Sequence, residues 1–497
     1  MMSKMYRLFF SILQKVMLVL GLHWLLIAVL HLFDLAVWWL PATLVILGLG
    51  YLFRSKLKQV YHFLMRHKGW VMAVVVGVQL LFLVSAELLI RRDAAVVFTG
   101  AFGYLKESSI SSYLTRNPNN LFLFLYERFF FKLFGETALW VMQGLNLLFV
   151  NLGAWVLYRG SQRHFNQQVA DTSFSFYVLL VCLSPYFYSM YTDIPLLPLV
   201  AWQIFLVLDI FSGGNSRAVA KNSVLLGLVT GLVILIRPPG AILLIACFMV
   251  LFFKGNWRKF FLVLASFVVA FGLSFGTGNY LVKHQTEVPI IQGEGLAKGP
   301  LLFINLGLTY SGFDQGDMKD GLLQYVEPAK RKQYNNGMFK NEYVIQEIKR
   351  RLQEYTPITF LEHLVVKQSM TVREGELGWP YRDAENEKTP YISPLYEKTK
   401  NIGLFQWIRI YFLSTDREQY RYYAISKQVI WIVMSFGLVL ALWKYRGQDS
   451  YNLLSLAIFG GLAFLLIFEG GKTRYLIQFL PQILLLASLG LSNQNKT

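Results

Sequence analysis

Long apolar runs separated by short basic segments dominate the chain. Runs near the length that crosses ~30 Å of hydrocarbon begin with Phe9–Leu30, Leu35–Phe53, Trp70–Ile90, Ala138–Tyr158, Phe174–Met190 and Ile194–Phe211. They continue with Val224–Ile236, Ala241–Phe253, Phe260–Leu281, Val429–Trp443, Leu453–Phe468 and Tyr475–Leu491. The pattern predicts an all-α polytopic membrane protein of about twelve transmembrane helices, with the pair flanking Arg237-Pro238-Pro239 short. Asn120–Phe134 is aromatic but interrupted by Glu127, Arg128 and Lys132, which fits a helix lying in the membrane interface. The runs divide the chain into a transmembrane module at 1–282 with an outer loop at 91–137, a large loop at 283–427 between the ninth and tenth spans, and C-terminal helices at 428–497.

Charge gives the runs an orientation. With the N-terminus inside, the inner segments become Arg54–Lys68, Arg159–Arg163, Arg217–Lys221, Lys254–Lys259 and Lys444–Arg446, all basic, as the positive-inside rule demands. The outer positions then collect Asp93, the Tyr191-Thr192-Asp193 turn, Arg237, the large loop and Glu469–Arg474. The basic first outer loop, with Arg91, Arg92, Lys106, Arg116, Arg128 and Lys132, runs against the rule. Lys4 and Arg7 precede the first run without a small-x-small cleavage site, which reads as a retained signal anchor.

Composition agrees: 497 residues are 55% hydrophobic, 16% aromatic and 15% charged, too apolar for a soluble protein of this size. The net charge of +18 lies mainly in the inter-run segments, where anionic membrane lipids account for it without nucleic acid. Cys182 and Cys247 both lie inside apolar runs, so neither a disulfide framework nor a zinc site is expected. No HExxH or Walker-type glycine-rich lysine motif occurs, which argues against zinc peptidase and P-loop chemistry. Asp314, Asp317 and Asp320 recur at three-residue spacing, unlike a calcium loop.

Candidate chemistry rests on charges at the ends of apolar runs, where an ionised group is costly unless it has a task or a partner. Asp93 follows Arg91 and Arg92 at the end of the third run; it is a candidate general base, or it neutralises the two arginines. Asp193, in YTDIPLLP, is a second candidate acid or the N-cap of the next span. Arg237, followed by two prolines, reads as a cation awaiting a lipid-linked phosphate or as one snorkelling to ordinary headgroups. Glu469 and Arg474 flank Gly470-Gly471, as site residues or as an interfacial ion pair. Arg92, Tyr191, Glu469 and Tyr475 are supporting candidates. Trp379, Tyr381 and Tyr391 suit either stacking on sugar rings or packing, and packing is the commoner use.

Several segments together resemble one family. RRDAAVVFTGA (Arg91–Ala101), YLTRNPNNLFLFL (Tyr113–Leu125), YTDIPLLP (Tyr191–Pro198), LIRPPGAILLIA (Leu235–Ala246), FINLGLTYSGFDQGD (Phe303–Asp317) and EGGKTRYLIQFLP (Glu469–Pro481) appear in the order found in GT-C integral membrane glycosyltransferases. Within that class the chain is similar to a Gram-positive branch related to protein mannosyltransferases, including exosortase-associated members. The resemblance implies transfer of a sugar, a hexose by that kinship, from a polyprenyl-phosphate donor to an extracytoplasmic glycan, lipid or protein acceptor at the cell membrane. It implies that 1–282 is the catalytic module, that Asp93 and Asp193 are its acids, and that Arg237 and Arg474 lie near the donor phosphate. Members often carry two adjacent acids in the first outer loop. Here Arg92 and Ala94 flank Asp93, so a second carboxylate must come from elsewhere and a divalent metal cofactor is left open.

Rival readings are a transporter or flippase of lipid-linked saccharides, a non-catalytic membrane scaffold, and a GT-C-type polymer ligase or polymerase. A transporter predicts ionisable or helix-breaking positions near the bilayer midplane, whereas Glu87 and Asp209 lie near opposite ends of their runs.

Overall fold

A computed structural model describes residues 2–36, 45, 48–378, 390–444 and 447–492. Most of the predicted second span, together with Trp379 and Tyr381, lies outside them. The fold is all-α and polytopic. Among the described residues nine helices are long and apolar enough to cross a membrane: Lys4–Ala36, Lys68–Ser85, Pro118–His164, Asp193–Ser212, Ser216–Ile236, Trp257–Lys283, Tyr420–Lys444, Asp449–Ile467 and Thr473–Leu491. A further apolar helix, Ile242–Lys254, has only 13 residues.

Burial orders these helices from centre to rim. In Thr473–Leu491 and Asp193–Ser212, 89% and 72% of the apolar window is buried, against 17% in Trp257–Lys283 and 22% in Lys4–Ala36. The two central helices therefore hold the core, while the rim helices turn Leu, Val and Phe outward, as lipid-facing surfaces do. Ser216–Ile236 meets Trp257–Lys283 closely because Gly227 and Gly231 form a G-x-x-x-G face. A Cβ on Gly227 would stand 2.6 Å from the Phe267 carbonyl oxygen, and Ser274 Oγ donates to Leu228 O at 2.9 Å across the same seam.

Two runs depart from the expected single helices. The third, Trp70–Ile90, is helical only to Ser85; Leu88–Ile90 leaves the helix and pairs antiparallel with Tyr391–Ile392, with Leu88 opposite Ile392 and a register shift before Ile90. Arg409 Nη1 donates to the Ser85 carbonyl at 3.0 Å, satisfying a helix-end oxygen that the broken ladder would orphan. Asp93 consequently lies in the first turn of a new helix, Arg92–Ala101, and does not end the spanning one. Arg92 makes the corner at φ 56°, in the left-handed region that costs an L-residue roughly 1–2 kcal/mol. The fifth run, Phe174–Met190, is split into the end of Gln167–Tyr177, a π-turn at Val178–Cys182 and a 3-10 turn at Pro185–Ser189. Pro185 lacks an amide hydrogen and cannot extend the preceding turn.

The segment expected to lie in the interface forms the helix Leu121–Phe134. Between Lys283 and Tyr420, the helices Pro300–Gly307, Gln315–Leu323 and Asn341–Glu354 share a small core built on Leu302, Leu306, Met318, Leu322, Met338 and Val344. Asp314 caps the second of these through Gly316 N and Asp317 N, and Asp317 binds Arg351 at 2.7 Å. Tyr391 sits edge-on to Phe98 with centroids 4.6 Å apart, the packing role.

Candidate active site

The predicted charges converge at one end of the bundle around two carboxylates of opposite character. Asp193, the first residue of its helix, is only 1% exposed. Thr192 occupies the N-cap position, so Asp193 is not the cap and its side chain turns to other partners. Arg237 Nη1 pairs with Oδ1, Tyr186 Oη donates to Oδ2 at 2.7 Å, and Arg474 Nε stands 3.8 Å from Oδ2. Arg237 is itself fixed by the two prolines behind it, which leave it extended between a helix and a 3-10 turn. Its Nε donates to Gln478 Oε1 at 3.1 Å and its Nη1 to Thr192 Oγ1 at 3.4 Å.

Asp93 is exposed. It interacts with Tyr113, whose hydroxyl also accepts from Asn120 Nδ2 at 2.8 Å, and with Tyr191, Lys298, Tyr334 and Lys472. Arg92 acts on the same Lys472. Tyr191 joins the two halves: it feels both carboxylates, and the Arg474 guanidinium lies 4.8 Å over its ring. Burial, reinforced by Asp93, raises the Tyr113 phenol. Burial, then Arg116, lowers the Lys298 ammonium; burial also lowers Lys472. The cluster is therefore crowded with positive charge. Arg92, Arg237, Lys298, Lys472 and Arg474 face the three carboxylates Asp93, Asp193 and Glu469, an imbalance that suits an anionic ligand.

Glu469 accepts a hydrogen bond from Tyr475, and the turn that carries both is anchored from outside the bundle. Gly471 has φ 73°, and a Cβ there would lie 2.0 Å from the Ser311 carbonyl oxygen, so only glycine admits that backbone. Lys367 closes the anchor. Its fully buried Nζ lies within hydrogen-bond distance of Gly307 O, Leu466 O and Phe468 O, at 2.9, 2.8 and 2.7 Å. Lys367→Met leaves those carbonyls without their donor and is expected to cost on the order of 2–4 kcal/mol, read as a lower thermal midpoint in detergent. Burial pushes Lys367 down to about 7 from its ordinary 10.5. Between those values the unfolded chain binds the proton and the fold does not. The group's stability term is thus present above 10.5 and lost as pH falls to about 7. The gap between wild type and Lys367→Met should therefore widen as pH rises through that window; a gap that stays constant would remove the titration from Lys367.

All eight residues singled out from sequence thus reach this end: Arg92, Asp93, Tyr191, Asp193, Arg237, Glu469, Arg474 and Tyr475. Tyr113, Tyr186, Lys298, Lys367 and Lys472 join them without having been singled out. Tyr113 and Lys472 lie inside the motif series, the one signal that pointed to them. Among the described residues no three His, Cys, Asp or Glu side chains converge where a metal ion could be held.

A family model described as conserved hypothetical integral membrane protein matches residues 3–495. The chain belongs to that family. No curated protein matches this member of it. Two crystal structures of ArnT from Cupriavidus metallidurans are similar over much of its length. The one bound to undecaprenyl phosphate shows 17% identity and a TM-score of 0.34, over 85% of this chain and 78% of that one. The apo structure shows 14% identity and a TM-score of 0.31, over 86% and 78%.

Proposed function

We propose that this integral membrane protein is a GT-C glycosyltransferase that moves a sugar from a polyprenyl-phosphate donor to an extracytoplasmic glycan, glycolipid or surface protein. The observation that carries the reading is the division of labour between the carboxylates: Asp93 is accessible to solvent, while Asp193 is buried and engages two arginines.

That division suits the reaction. Asp93 takes the proton of an acceptor hydroxyl as its oxygen attacks the anomeric carbon. The bond from that carbon to the donor phosphate breaks, and its electron pair leaves on the phosphate oxygen. A phosphate needs no protonation to depart when cations receive its charge, and Arg237, Arg474 and Lys472 are grouped for that task. Arginine's planar fork can hold two oxygens at once. Asp193 is then a positioning residue that aims the guanidinium groups. A single displacement inverts the anomeric centre. The hexose donor and the kinship with protein mannosyltransferases rest on the motif series, and placement of the site on the outer face of the cell membrane rests on the basic inner segments.

The test is transfer from a radiolabelled panel of polyprenyl-phosphate hexoses to membrane acceptors by the purified protein. Transfer from at least one donor is the expected result. Failure with every monosaccharide donor, joined to transfer from a lipid-pyrophosphate oligosaccharide, would replace this reading with a polymer ligase.

A further inference from the structure

We infer that the end of the bundle remote from Asp93 carries a second site, which binds the phosphate headgroup of an anionic membrane phospholipid. The helices Arg54–Arg66, Lys68–Ser85, Ala138–His164 and Gln167–Tyr177 line an open cavity of about 620 Å³ there. Its lining includes Arg66, Lys68 and Arg159 against one carboxylate, Asp171. Asp171 is already committed. Lys68 Nζ lies 2.8 Å from its Oδ1, and Gln167 Nε2 donates to the same oxygen at 2.7 Å. Among the described residues neither Arg66 nor Arg159 has an acidic partner; Arg159 lies 4.6 Å over the Trp155 ring, which holds its guanidinium at the cavity. The cavity therefore keeps two arginines available to an anion, and the helices Lys68–Ser85 and Gln167–Tyr177 both turn their positive dipole ends to it.

Its depth identifies the ligand as a lipid. Lys68 opens an 18-residue spanning helix, about 27 Å long, so the cavity lies at headgroup level while Asp93 lies beyond the helix's other end. The preceding helix, RSKLKQVYHFLMR, combines Arg54, Lys56, Lys58 and Arg66 with Leu57, Val60, Phe63 and Leu64, all of them exposed. Phe63 is 61% and the neighbouring Trp70 75% exposed. A basic amphipathic helix of this kind lies in the membrane interface and draws anionic lipid. Met65, Trp155 and Tyr158 in the lining suit the glycerol and upper acyl segments that accompany such a phosphate.

The full-length protein in neutral detergent is the material for the test, with retained lipid counted by native mass spectrometry after exposure to phosphatidylglycerol or phosphatidylcholine. Phosphatidylglycerol is expected to be retained preferentially. Replacing both Arg66 and Arg159 by Gln should weaken it about ten- to a hundredfold. Gly69→Phe offers a second route: Gly69 lines the cavity, and a Cβ there meets nothing within 4 Å, so a phenyl ring occupies the space while every cation stays. It should cause the same loss, whereas Lys221→Gln, on another basic segment, should not. Equal retention of both lipids, loss with Lys221→Gln matching that of the double variant, or unchanged retention by Gly69→Phe would overturn the site. Competition by inorganic phosphate as strong as that by phosphatidylglycerol would overturn the lipid assignment in favour of a soluble phosphate compound.

Discussion

Asp93→Asn is expected to lower sugar transfer by about 10²–10⁴-fold, the range a positioned general base contributes, while donor binding and thermal stability stay near wild type. The substitution keeps the shape of the side chain but removes its capacity to take a proton. Its position favours a clean result: Asp93 is exposed in the first turn of a ten-residue helix, and its neighbours Tyr113, Lys298 and Lys472 belong to other segments. The competing view, in which Asp93 only neutralises Arg91 and Arg92, makes a different forecast. A surface charge change of that kind alters stability by within about 0.5 kcal/mol and leaves the rate alone. Purified wild type and variant, compared at equal folded amounts with donor binding measured separately, decide between them. Undiminished transfer would take Asp93 out of the reaction.

How much of the structure is legible in the sequence follows the range of the forces involved. Spanning helices were legible because a bilayer demands long apolar runs with internal backbone hydrogen bonding. Arg237, Arg474 and both aspartates stood out for the related reason that charge is scarce and costly in such a chain. What failed depended on partners distant in sequence. Leu88–Ile90 is as apolar as the helix before it, and only pairing with Tyr391–Ile392 makes it a strand. For Asp193 the sequence leaves a candidate acid and a helix cap both open, because nothing local reveals that Arg237 and Arg474 meet it. Lys367, within HLVVKQSM, carries no local mark of its role, since its three carbonyl partners come from Gly307, Leu466 and Phe468. Pro185 was readable as a helix breaker, yet the run around it was apolar enough to mask the split.

Arg237→Met is expected to destabilise the fold by about 3–5 kcal/mol, the usual cost of removing one partner from a buried ion pair, and to abolish sugar transfer. The remaining Asp193 would be 1% exposed with Tyr186 at 2.7 Å and Arg474 at the looser 3.8 Å, too little to compensate a buried carboxylate. Thermal unfolding in detergent reads the first effect and the transfer assay the second, while binding of polyprenyl phosphate reports the donor affinity behind it. The double variant Asp193→Asn with Arg237→Met then separates architecture from chemistry. With the negative charge gone, much of the lost stability should return, because a buried ion pair is often replaced by less polar groups at little net cost. Donor affinity should not return, because the phosphate has lost its guanidinium. Recovery of both would make the pair a structural element only and leave Arg474 and Lys472 to hold the donor. Recovery of stability alone would show that the cluster is retained for the ligand, since the fold can do without it.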